Sequence, residues 1–308
     1  LVYLQNSGQG NAINPLLSLA DPDVYSIPML LLIGWRGEPG TKDEPQHVKQ
    51  GKITVSMLET MDVPYRILPV EPEGAQACVK ALLAIAEAEK RPVALVVGKD
   101  TFEPYKSTAT ATADFQMTRE QAIQAVVADL DVSDAIVSTT GKLSRELYEY
   151  RVRNGQNSGC DFLTVGSMGH ASQIAAGIAH AQPNRQVFCL DGDGAMLMHM
   201  GAAAIVGAAG VENFKHVIFN NGVHDSVGGM ATAGLSVSFT QIVKGCGYVE
   251  AWRVERHKDL AGKVAELRAA RGPALLEIMV KRGARAELGR PKSSPIENKI
   301  AFMEFLSH

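Results

Sequence analysis

Two polar signals close consecutive apolar runs in the second half of the chain. The run QVFCLDG (186–192) leads into Gly192-Asp193-Gly194, and the run KHVIFNN (215–221) ends on Asn220-Asn221. In an open parallel sheet, ligands bind at the carboxyl ends of the strands, so the carboxylate and the carboxamides are expected to meet there. Both groups offer oxygen to a hard cation such as Mg²⁺ or Ca²⁺, which commonly bridges to the phosphates of a ligand.

The residues beside the acid also suit a phosphate. Gly192 and Gly194 allow a close approach of the backbone, and a helix that begins near Ala195 would turn its N-terminus toward the ligand. A common turn is the alternative interpretation of Gly-Asp-Gly. A dinucleotide site is another, but no G-x-G-x-x-G follows a strand, and TTGKLS (139–144) lacks the upstream glycine of a Walker A loop.

Apolar runs alternate with helical patterns along most of the chain, which predicts an α/β fold with parallel sheets. A polar, Thr/Ala-rich stretch (99–117) interrupts this pattern and predicts a linker between a first unit (1–112) and a second (113–308). Most of the runs are continuously apolar, as expected for strands covered on both faces. The predicted strands are 1–5, 28–34, 92–98, 134–140, 161–165, 186–192, 215–221, 247–254 and 273–279.

Helix signals lie between these runs. Thr118 with Gln121 forms a capping-box pattern, and Ser294 with Glu297 forms a second one, with proline at the first helical position. By contrast, the charged, Gly/Pro-bearing segment WRGEPGTKDEPQHVKQGK (35–52) predicts a long loop, either functional or mobile.

Composition narrows the class of protein. The 308 residues are 46% hydrophobic and 20% charged, which is typical of a soluble globular chain of two domains. The net charge of -3, without any basic run, gives no argument for nucleic-acid binding. The four cysteines form no CxxC pair, which favours reduced thiols in a cytoplasmic protein. No apolar stretch is long enough to span a bilayer.

The spacing of the polar signals, 28 residues from Asp193 to Asn221, resembles the cofactor-binding motif of thiamine diphosphate enzymes. The resemblance implies that Asp193 and Asn221 bind Mg²⁺ through their side chains and Val223 binds it through its carbonyl. It makes Asn220 a structural residue. It also implies cofactor contacts from Gly192, Asp193, Gly194, Ala195 and Asn221.

The segment TVGSMGHASQIAAGIA (164–179) resembles the stretch of the same family that precedes the Gly-Asp-Gly strand. Met168 would wedge between the two cofactor rings, and the carbonyl of Gly166 would accept a hydrogen bond from the aminopyrimidine, with Ser167 between them. Ordinary core packing is the alternative for Met168. Thr139, Thr140 and Gly141, which end the first strand of the second unit, would contact the diphosphate or the pyrimidine.

The start of the chain, LQNSGQGNAINPLLSLADPDVYSIPMLLLIG (4–34), resembles a pyrimidine-binding domain with its Gly-rich turn. The resemblance makes 1–112 that domain, with its N-terminal part missing, and 113–308 the diphosphate-binding domain. It implies that Asn6, Ser7 and Gly8 contact the cofactor. In the family a glutamate before this turn activates the cofactor. Since Leu1 lies inside a strand-like run, we expect that glutamate upstream of Leu1; a processed N-terminus is the alternative.

Several stretches resemble the phosphonopyruvate decarboxylase branch of this family: 33–54, 161–175, 192–207, 220–229 and 288–306. That resemblance implies decarboxylation of 3-phosphonopyruvate to phosphonoacetaldehyde and CO₂. A sulfopyruvate decarboxylase is the near alternative, and a cofactor-binding regulatory subunit that needs a partner chain is another. A NAD-dependent dehydrogenase would need the dinucleotide fingerprint that the sequence lacks.

Candidate residues for the chemistry lie in two places. Histidine titrates near neutrality and can relay protons, which makes His47 and His224 candidates, although a solvated charged loop and plain turn chemistry are alternatives. The full set of catalytic candidates is Asp43, Glu44, Gln46, His47, His224 and Asp225. The candidates for holding an anionic substrate tail, among which the sequence does not choose, are Arg36, Lys42, Lys49 and Arg290.

The family resemblance also implies an assembly. Thiamine diphosphate then lies between the pyrimidine domain of one subunit and the diphosphate domain of another, so a homodimer or homotetramer is expected. Met168 and Asp193 would face segment 6–11 of the partner subunit.

Overall fold

The computed structural model describes residues 1–105 and 115–308. The chain divides into two compact units, Leu1–Ala109 and Thr110–His308, called unit 1 and unit 2 below. The middle of the predicted linker (106–114) lies outside the described residues. Within the described part of the chain, no helix is both long and apolar enough to cross a membrane.

In its described residues (1–105), unit 1 contains four parallel strands and three α-helices. Alternate residues of its two interior strands face two different apolar clusters, one with Leu58 and the other with Leu82. The strands are β1 (Val2–Gln5), β2 (Met29–Gly34), β3 (Tyr65–Ile67) and β4 (Pro92–Val97), in the order β1-β2-β4-β3. The helices are α1 (Gln9–Pro15), α2 (Pro45–Thr60) and α3 (Pro72–Glu89).

One local prediction in unit 1 is wrong, and another is confirmed. The segment 35–52 is a loop only as far as Glu44, because α2 begins at Pro45. Proline suits the first helical position, where its missing N–H would have no partner in any case, so it starts a helix here instead of marking a loop. The predicted Gly-rich turn is confirmed: Asn6–Gly8 forms a 3-10 turn that leads directly into α1.

Unit 2 contains a six-stranded parallel sheet with an apolar cluster on each face. Its strands are β5 (Ala135–Ser138), β6 (Asp161–Leu163), β7 (Val187–Gly192), β8 (Phe214–Asn220), β11 (Glu250–Val254) and β12 (Ala274–Met279). A small antiparallel hairpin joins β9 (Val223–His224) to β10 (Met230–Ala231). The helices are α4 (Arg119–Ala128), α5 (Lys142–Arg153), α6 (Ala171–Ala181), α7 (Asp193–Met198), α8 (Ala202–Ala209), α9 (Phe239–Gly245), α10 (His257–Ala269) and α11 (Pro295–Leu306).

These features confirm the prediction of two parallel-sheet α/β units. The capping boxes at Thr118 and Ser294 are also confirmed, since each side chain accepts a hydrogen bond from the backbone three residues later. The sheet order β11-β12-β8-β7-β5-β6 shows that the chain turns one way from β5 to β6 and the other way to β7. Such a reversal opens a crevice at the carboxyl ends of β5 and β7, the neighbouring strands where the direction changes.

Asp134, just before β5, makes the stability of unit 2 depend on pH. Burial raises the pKa of Asp134 to about 6, although Arg185 opposes the shift. An unfolded Asp titrates near about 4, so the folded chain holds this proton more tightly and stability falls as the pH rises from about 4 to about 6. Asp134→Asn should therefore raise the thermal midpoint at pH 8, and calorimetry should show that the gain disappears at pH 4. An equal gain at both pH values would contradict this explanation.

Candidate active site

Asp193 is the first residue of α7, directly after β7, and it is 2% exposed. Its carboxylate accepts a hydrogen bond from the Thr232 hydroxyl, and its Oδ1 lies 3.4 Å from the backbone N of Asn221. The ends of β7 and β8 therefore meet at this acid. Burial raises the pKa of Asp193, opposed by the bonds from Thr232 and Asn221. A cation would compensate the cost of burying this charge.

Asn220, the last residue of β8, is enclosed by protein. Its amide nitrogen donates to the Gly234 carbonyl (2.7 Å) and to Glu277 Oε1 (2.8 Å), while its oxygen accepts from the Gly222 backbone N–H (3.1 Å). Every part of this amide thus has a partner within unit 2. The side chain joins the end of β8 to β12 and to the segment that follows β10.

Asn221 is arranged differently. Its Nδ2 donates to Asp225 Oδ2 over 2.8 Å, and its Oδ1 accepts one backbone N–H, from Val223, at 3.1 Å. A carboxamide oxygen has two lone pairs, so Oδ1 retains one for a further ligand. Together with the Asp193 carboxylate it offers the oxygen donors that a hard cation prefers.

The end of β5 provides an unpaired buried hydroxyl. Thr139 Oγ1 is buried without a hydrogen-bond partner among the described residues, and such a group costs free energy unless a ligand satisfies it. Thr140 and Gly141 follow, and α5 begins at Lys142. The N–H groups of a helix N-terminus attract phosphate. These donors fit a diphosphate that a cation holds against Asp193.

The segment between β6 and α6 has an irregular backbone. Ser167 has φ 51°, unusual for a residue with a side chain, and Gly169 has φ 90°. Gly166 precedes this turn, and Met168 is half-buried within it. Residues in sparsely populated conformations cluster at ligand sites, which is compatible with a role for this loop in binding.

His224 and Asp225 follow Asn221 closely. The His224 ring fills the place that a side chain at position 194 would need, since a Cβ on Gly194 would lie 2.5 Å from its Nδ1. Glycine at 194 therefore lets His224 pack beside the first turn of α7, which contains Ala195. Asp225 accepts hydrogen bonds from the side chains of Asn221 and Arg119.

A second polar group lies under the Asp193 turn, and the sequence did not indicate it. Asp191 Oδ1 accepts the Gly192 backbone N–H at 2.9 Å, and its Oδ2 lies 3.4 Å from His216 Nε2. His216 also lies 3.3 Å from the Tyr248 hydroxyl. Asp191 therefore supports the backbone that carries Asp193.

The catalytic candidates of unit 1 surround the start of α2. Asp43 pairs with Arg36 through two hydrogen bonds (2.8 and 2.6 Å) and accepts the Gly37 N–H. The bond from Arg36 lowers the pKa of Asp43 to about 2. Burial and the charge of Arg36 lower the pKa of His47, whose Nδ1 is buried without a partner among the described residues. Glu44 is the N-cap residue, and Gln46 is in the first turn of the helix.

Asn6 joins β1 to the same region. Its amide nitrogen donates to the Arg36 carbonyl (2.8 Å) and to Thr54 Oγ1 (2.9 Å), and its oxygen accepts the Arg36 N–H. The Ser7 hydroxyl donates to Gln5 Oε1, and Gly8 ends the 3-10 turn. The Asn6 side chain therefore orients the Arg36–Asp43 segment of its own unit.

Several residues of the site in unit 2 could not be identified from the sequence. Thr232 and Gly234 lie in a segment without a clear pattern. Glu277 left a signal, a single charge inside the apolar run PALLEIM, and such a charge is rarely buried without a partner. Unit 2 also places Arg119 and Glu146 beside Asp225.

Gly234→Ala should weaken cofactor binding. A Cβ at this position would lie 2.8 Å from Asp193 Cβ and 2.9 Å from Asn220 Oδ1, so the acid would have to move. Overpacking of this kind costs about 1–3 kcal/mol. We expect a loss of thiamine diphosphate affinity of about tenfold or more in equilibrium dialysis with Mg²⁺, since 1.4 kcal/mol is a factor of ten.

Gly262→Ala is the matched control, because a Cβ there meets nothing within 4 Å. This position is inside α10, where alanine should stabilise the helix by about 0.5–1 kcal/mol and leave cofactor binding unchanged. Wild-type affinity in Gly234→Ala would show that Asp193 tolerates the displacement.

Comparison with known proteins adds evidence of a different kind. Residues 139–278 match the family model described as thiamine pyrophosphate (thiamine diphosphate) enzyme, C-terminal TPP binding domain. This range begins at Thr139 and includes Asp193 and Asn221. It lies wholly within unit 2.

Named relatives match nearly the whole chain. Phosphonopyruvate decarboxylase from Streptomyces viridochromogenes is 36% identical, over 98% of this chain and 78% of the relative. Phosphonopyruvate decarboxylase from Streptomyces hygroscopicus is 35% identical, over 98% and 77%. Sulfopyruvate decarboxylase from Methanosarcina acetivorans is 27% identical, over 99% and 82%. This chain belongs to the phosphonopyruvate decarboxylase family of thiamine diphosphate-dependent enzymes.

Proposed function

We propose that this chain decarboxylates 3-phosphonopyruvate to phosphonoacetaldehyde and CO₂, a step of phosphonate biosynthesis, with thiamine diphosphate and Mg²⁺. The observation that carries the proposal is the meeting of Asp193 with Asn221 at the ends of β7 and β8. It occurs in a chain that is 35–36% identical to two phosphonopyruvate decarboxylases. A sulfopyruvate decarboxylase is the second candidate, because one such enzyme is 27% identical over 99% of this chain and a beta subunit of another is 34% identical over 41% of it.

Unit 2 would hold the metal and the diphosphate. Asp193 and Asn221 would bind Mg²⁺ through side-chain oxygens and Val223 through its carbonyl. The buried Thr139 hydroxyl, which has no partner in the described part of the chain, would meet a diphosphate oxygen. When bound, thiamine diphosphate supplies the nucleophilic carbon and the electron sink for decarboxylating a 2-oxo acid. The remaining proposed contacts of unit 2 with the cofactor are Thr140, Gly141, Gly166, Ser167, Met168, Gly192, Gly194 and Ala195.

Proton transfer would fall to the histidines. His47 has a lowered pKa and a buried Nδ1 that no described residue pairs with, so its neutral ring can accept a proton at pH 7. His224 lies beside Gly194 and is the candidate in unit 2. Arg36 is engaged by Asp43, which supports a role in orienting this segment. The other proposed contacts of unit 1 are Asn6, Ser7, Gly8, Glu44 and Gln46.

A decarboxylation assay with two substrates tests the proposal. The chain would receive 3-phosphonopyruvate and 3-sulfopyruvate in parallel, with Mg²⁺ and thiamine diphosphate. We expect preference for the phosphonate. Preference for the sulfonate would contradict the substrate. Cofactor binding without turnover of either would favour a regulatory subunit.

We also infer a homodimer or homotetramer with sites at the subunit interface. The large apolar side chains of Met198, Met200 and Ile205 are exposed on α7, on α8 and between them, directly after Asp193. Clustered exposed apolar residues mark interaction surfaces. Sedimentation velocity should show an assembly of at least two chains, and a monomer at micromolar concentration would contradict it.

A further inference from the structure

A buried ion network lies behind the loop that contains Asn221. Arg119, the first residue of α4, binds Glu146 of α5 in a fork, with Nε–Oε2 at 2.7 Å and Nη2–Oε1 at 3.0 Å. The third guanidinium nitrogen donates to Asp225 Oδ2 over 3.0 Å. The side chains of these residues are 7%, 2% and 11% exposed, respectively. Arginine thus bridges two carboxylates away from solvent.

Asp225 connects this ion network to Asn221 through hydrogen bonds. Its Oδ2, which accepts from Arg119, also accepts from Asn221 Nδ2 at 2.8 Å. The backbone N–H of Gly283 lies 3.2 Å from each carboxylate oxygen and fixes the group from another side. Arg119 and the backbone of Gly283 therefore hold the Asp225 carboxylate independently of its contact with the Asn221 amide.

This contact determines which end of the Asn221 amide faces the proposed metal. A carboxamide can present either its oxygen or its NH₂ group in one direction, and only the oxygen binds a hard cation. Because Asp225 accepts a hydrogen bond from the NH₂ group of Asn221, the amide oxygen of Asn221 points away from Asp225. The reversed amide would place two acceptors, Asn221 Oδ1 and Asp225 Oδ2, against each other.

The net charge of the network also favours a metal ion beside Asn221. Two carboxylates and one guanidinium leave one negative charge in excess, and one of these carboxylates contacts Asn221 Nδ2. Buried ion pairs contribute little net stability when compared with apolar replacements, so stability alone does not account for the network. A divalent cation beside Asn221 would be attracted by the excess negative charge.

We propose that Arg119 and Glu146 are positioning residues that, through Asp225, hold Asn221 in the orientation that binds the divalent metal. This inference rests on the proposed function, since it concerns the Mg²⁺–thiamine diphosphate site. None of the three side chains needs to contact the cofactor. Outer partners of metal ligands change metal affinity by about 10–100-fold when they are lost.

Arg119→Lys is the main test, because an ammonium cannot make the fork to Glu146 while it binds Asp225. Binding of thiamine diphosphate would be followed by equilibrium dialysis over a range of Mg²⁺ concentrations. We expect the half-saturating Mg²⁺ concentration to rise about tenfold, and full binding to return at high Mg²⁺. The thermal midpoint in EDTA would be measured alongside as an index of purely structural damage.

Glu146→Gln keeps the shape of the fork and provides a milder variant if Arg119→Lys folds poorly. It should raise the Mg²⁺ midpoint in the same direction by a smaller factor. Arg153→Lys is the matched control: Arg153 is also on α5, but it is half-exposed and pairs with Glu120 and Glu149. This variant should bind cofactor with the wild-type Mg²⁺ dependence.

The outcomes distinguish failure of the positioning role from failure of the proposed function. If Arg119→Lys and Glu146→Gln lower the thermal midpoint in EDTA but keep the wild-type Mg²⁺ dependence, the network is only structural and the inference is overturned. If the wild-type chain binds no thiamine diphosphate at any Mg²⁺ concentration, the proposed function fails and this inference fails with it. A raised Mg²⁺ midpoint in both variants supports the positioning role.

Discussion

Asp193→Asn should raise the Mg²⁺ concentration for half-maximal thiamine diphosphate binding by more than the roughly 100-fold that loss of an outer partner can cost. The amide keeps the shape of the side chain and removes the charge at the centre of the proposed metal site. Decarboxylation should fall at least in proportion at fixed Mg²⁺. Equilibrium dialysis and turnover would be measured on the same preparations.

The same variant should fold at least as well as the wild type in EDTA. Asp193 is buried, and burial raises its pKa, so without a cation the charge opposes folding. Asp100→Asn is the control, because Asp100 is an exposed acid in unit 1 with 85% of its side chain accessible. Unchanged Mg²⁺ dependence in Asp193→Asn would remove Asp193 from the metal site, whatever the midpoint in EDTA.

Asp161→Asn should produce the largest loss of stability in unit 2. Asp161, the first residue of β6, is fully buried and binds Arg151 through two hydrogen bonds of 2.9 and 3.0 Å. Removing one partner leaves a buried guanidinium uncompensated, which typically costs about 3–5 kcal/mol. For a domain of this size the thermal midpoint should fall by about 6–20 °C, measured by differential scanning calorimetry.

Two control variants are needed to interpret the melting temperature of Asp161→Asn. Glu266→Gln disrupts the exposed pair with Lys263 and should change the free energy of unfolding by no more than about 0.5 kcal/mol. The double replacement Arg151→Met with Asp161→Leu removes both charges and should recover much of the stability. If Asp161→Asn melts at the wild-type temperature, the buried pair does not contribute to the fold as its geometry indicates.

The main strands of both sheets could be predicted because each is a continuous apolar run between helical patterns. β3 was not predicted: it has three residues, and Arg66 lies in the middle. The hairpin of β9 and β10 was also missed, since two-residue strands leave no periodic signal. The sequence does not distinguish the helix that begins at Pro45 from a loop, because proline is compatible with both structures.

The site was only partly predictable, for a physical reason. Asp193 and Asn221 end apolar strands, and the rule that ligands bind at the carboxyl ends of parallel strands applies to the sequence directly. Arg119 meets Asp225 across 106 residues of chain, and no local pattern encodes that contact. A weak signal did exist, because a cation in the first turn of a helix opposes the helix dipole and therefore suggests an acidic partner elsewhere.

The most direct measurement is calorimetric titration of the wild-type chain with thiamine diphosphate, once with Mg²⁺ and once with EDTA. We predict saturable binding with Mg²⁺ and its loss in EDTA, since the proposed site would hold the diphosphate through a metal at Asp193 and Asn221. Equal binding in both conditions, or no binding with Mg²⁺, would contradict the proposed site.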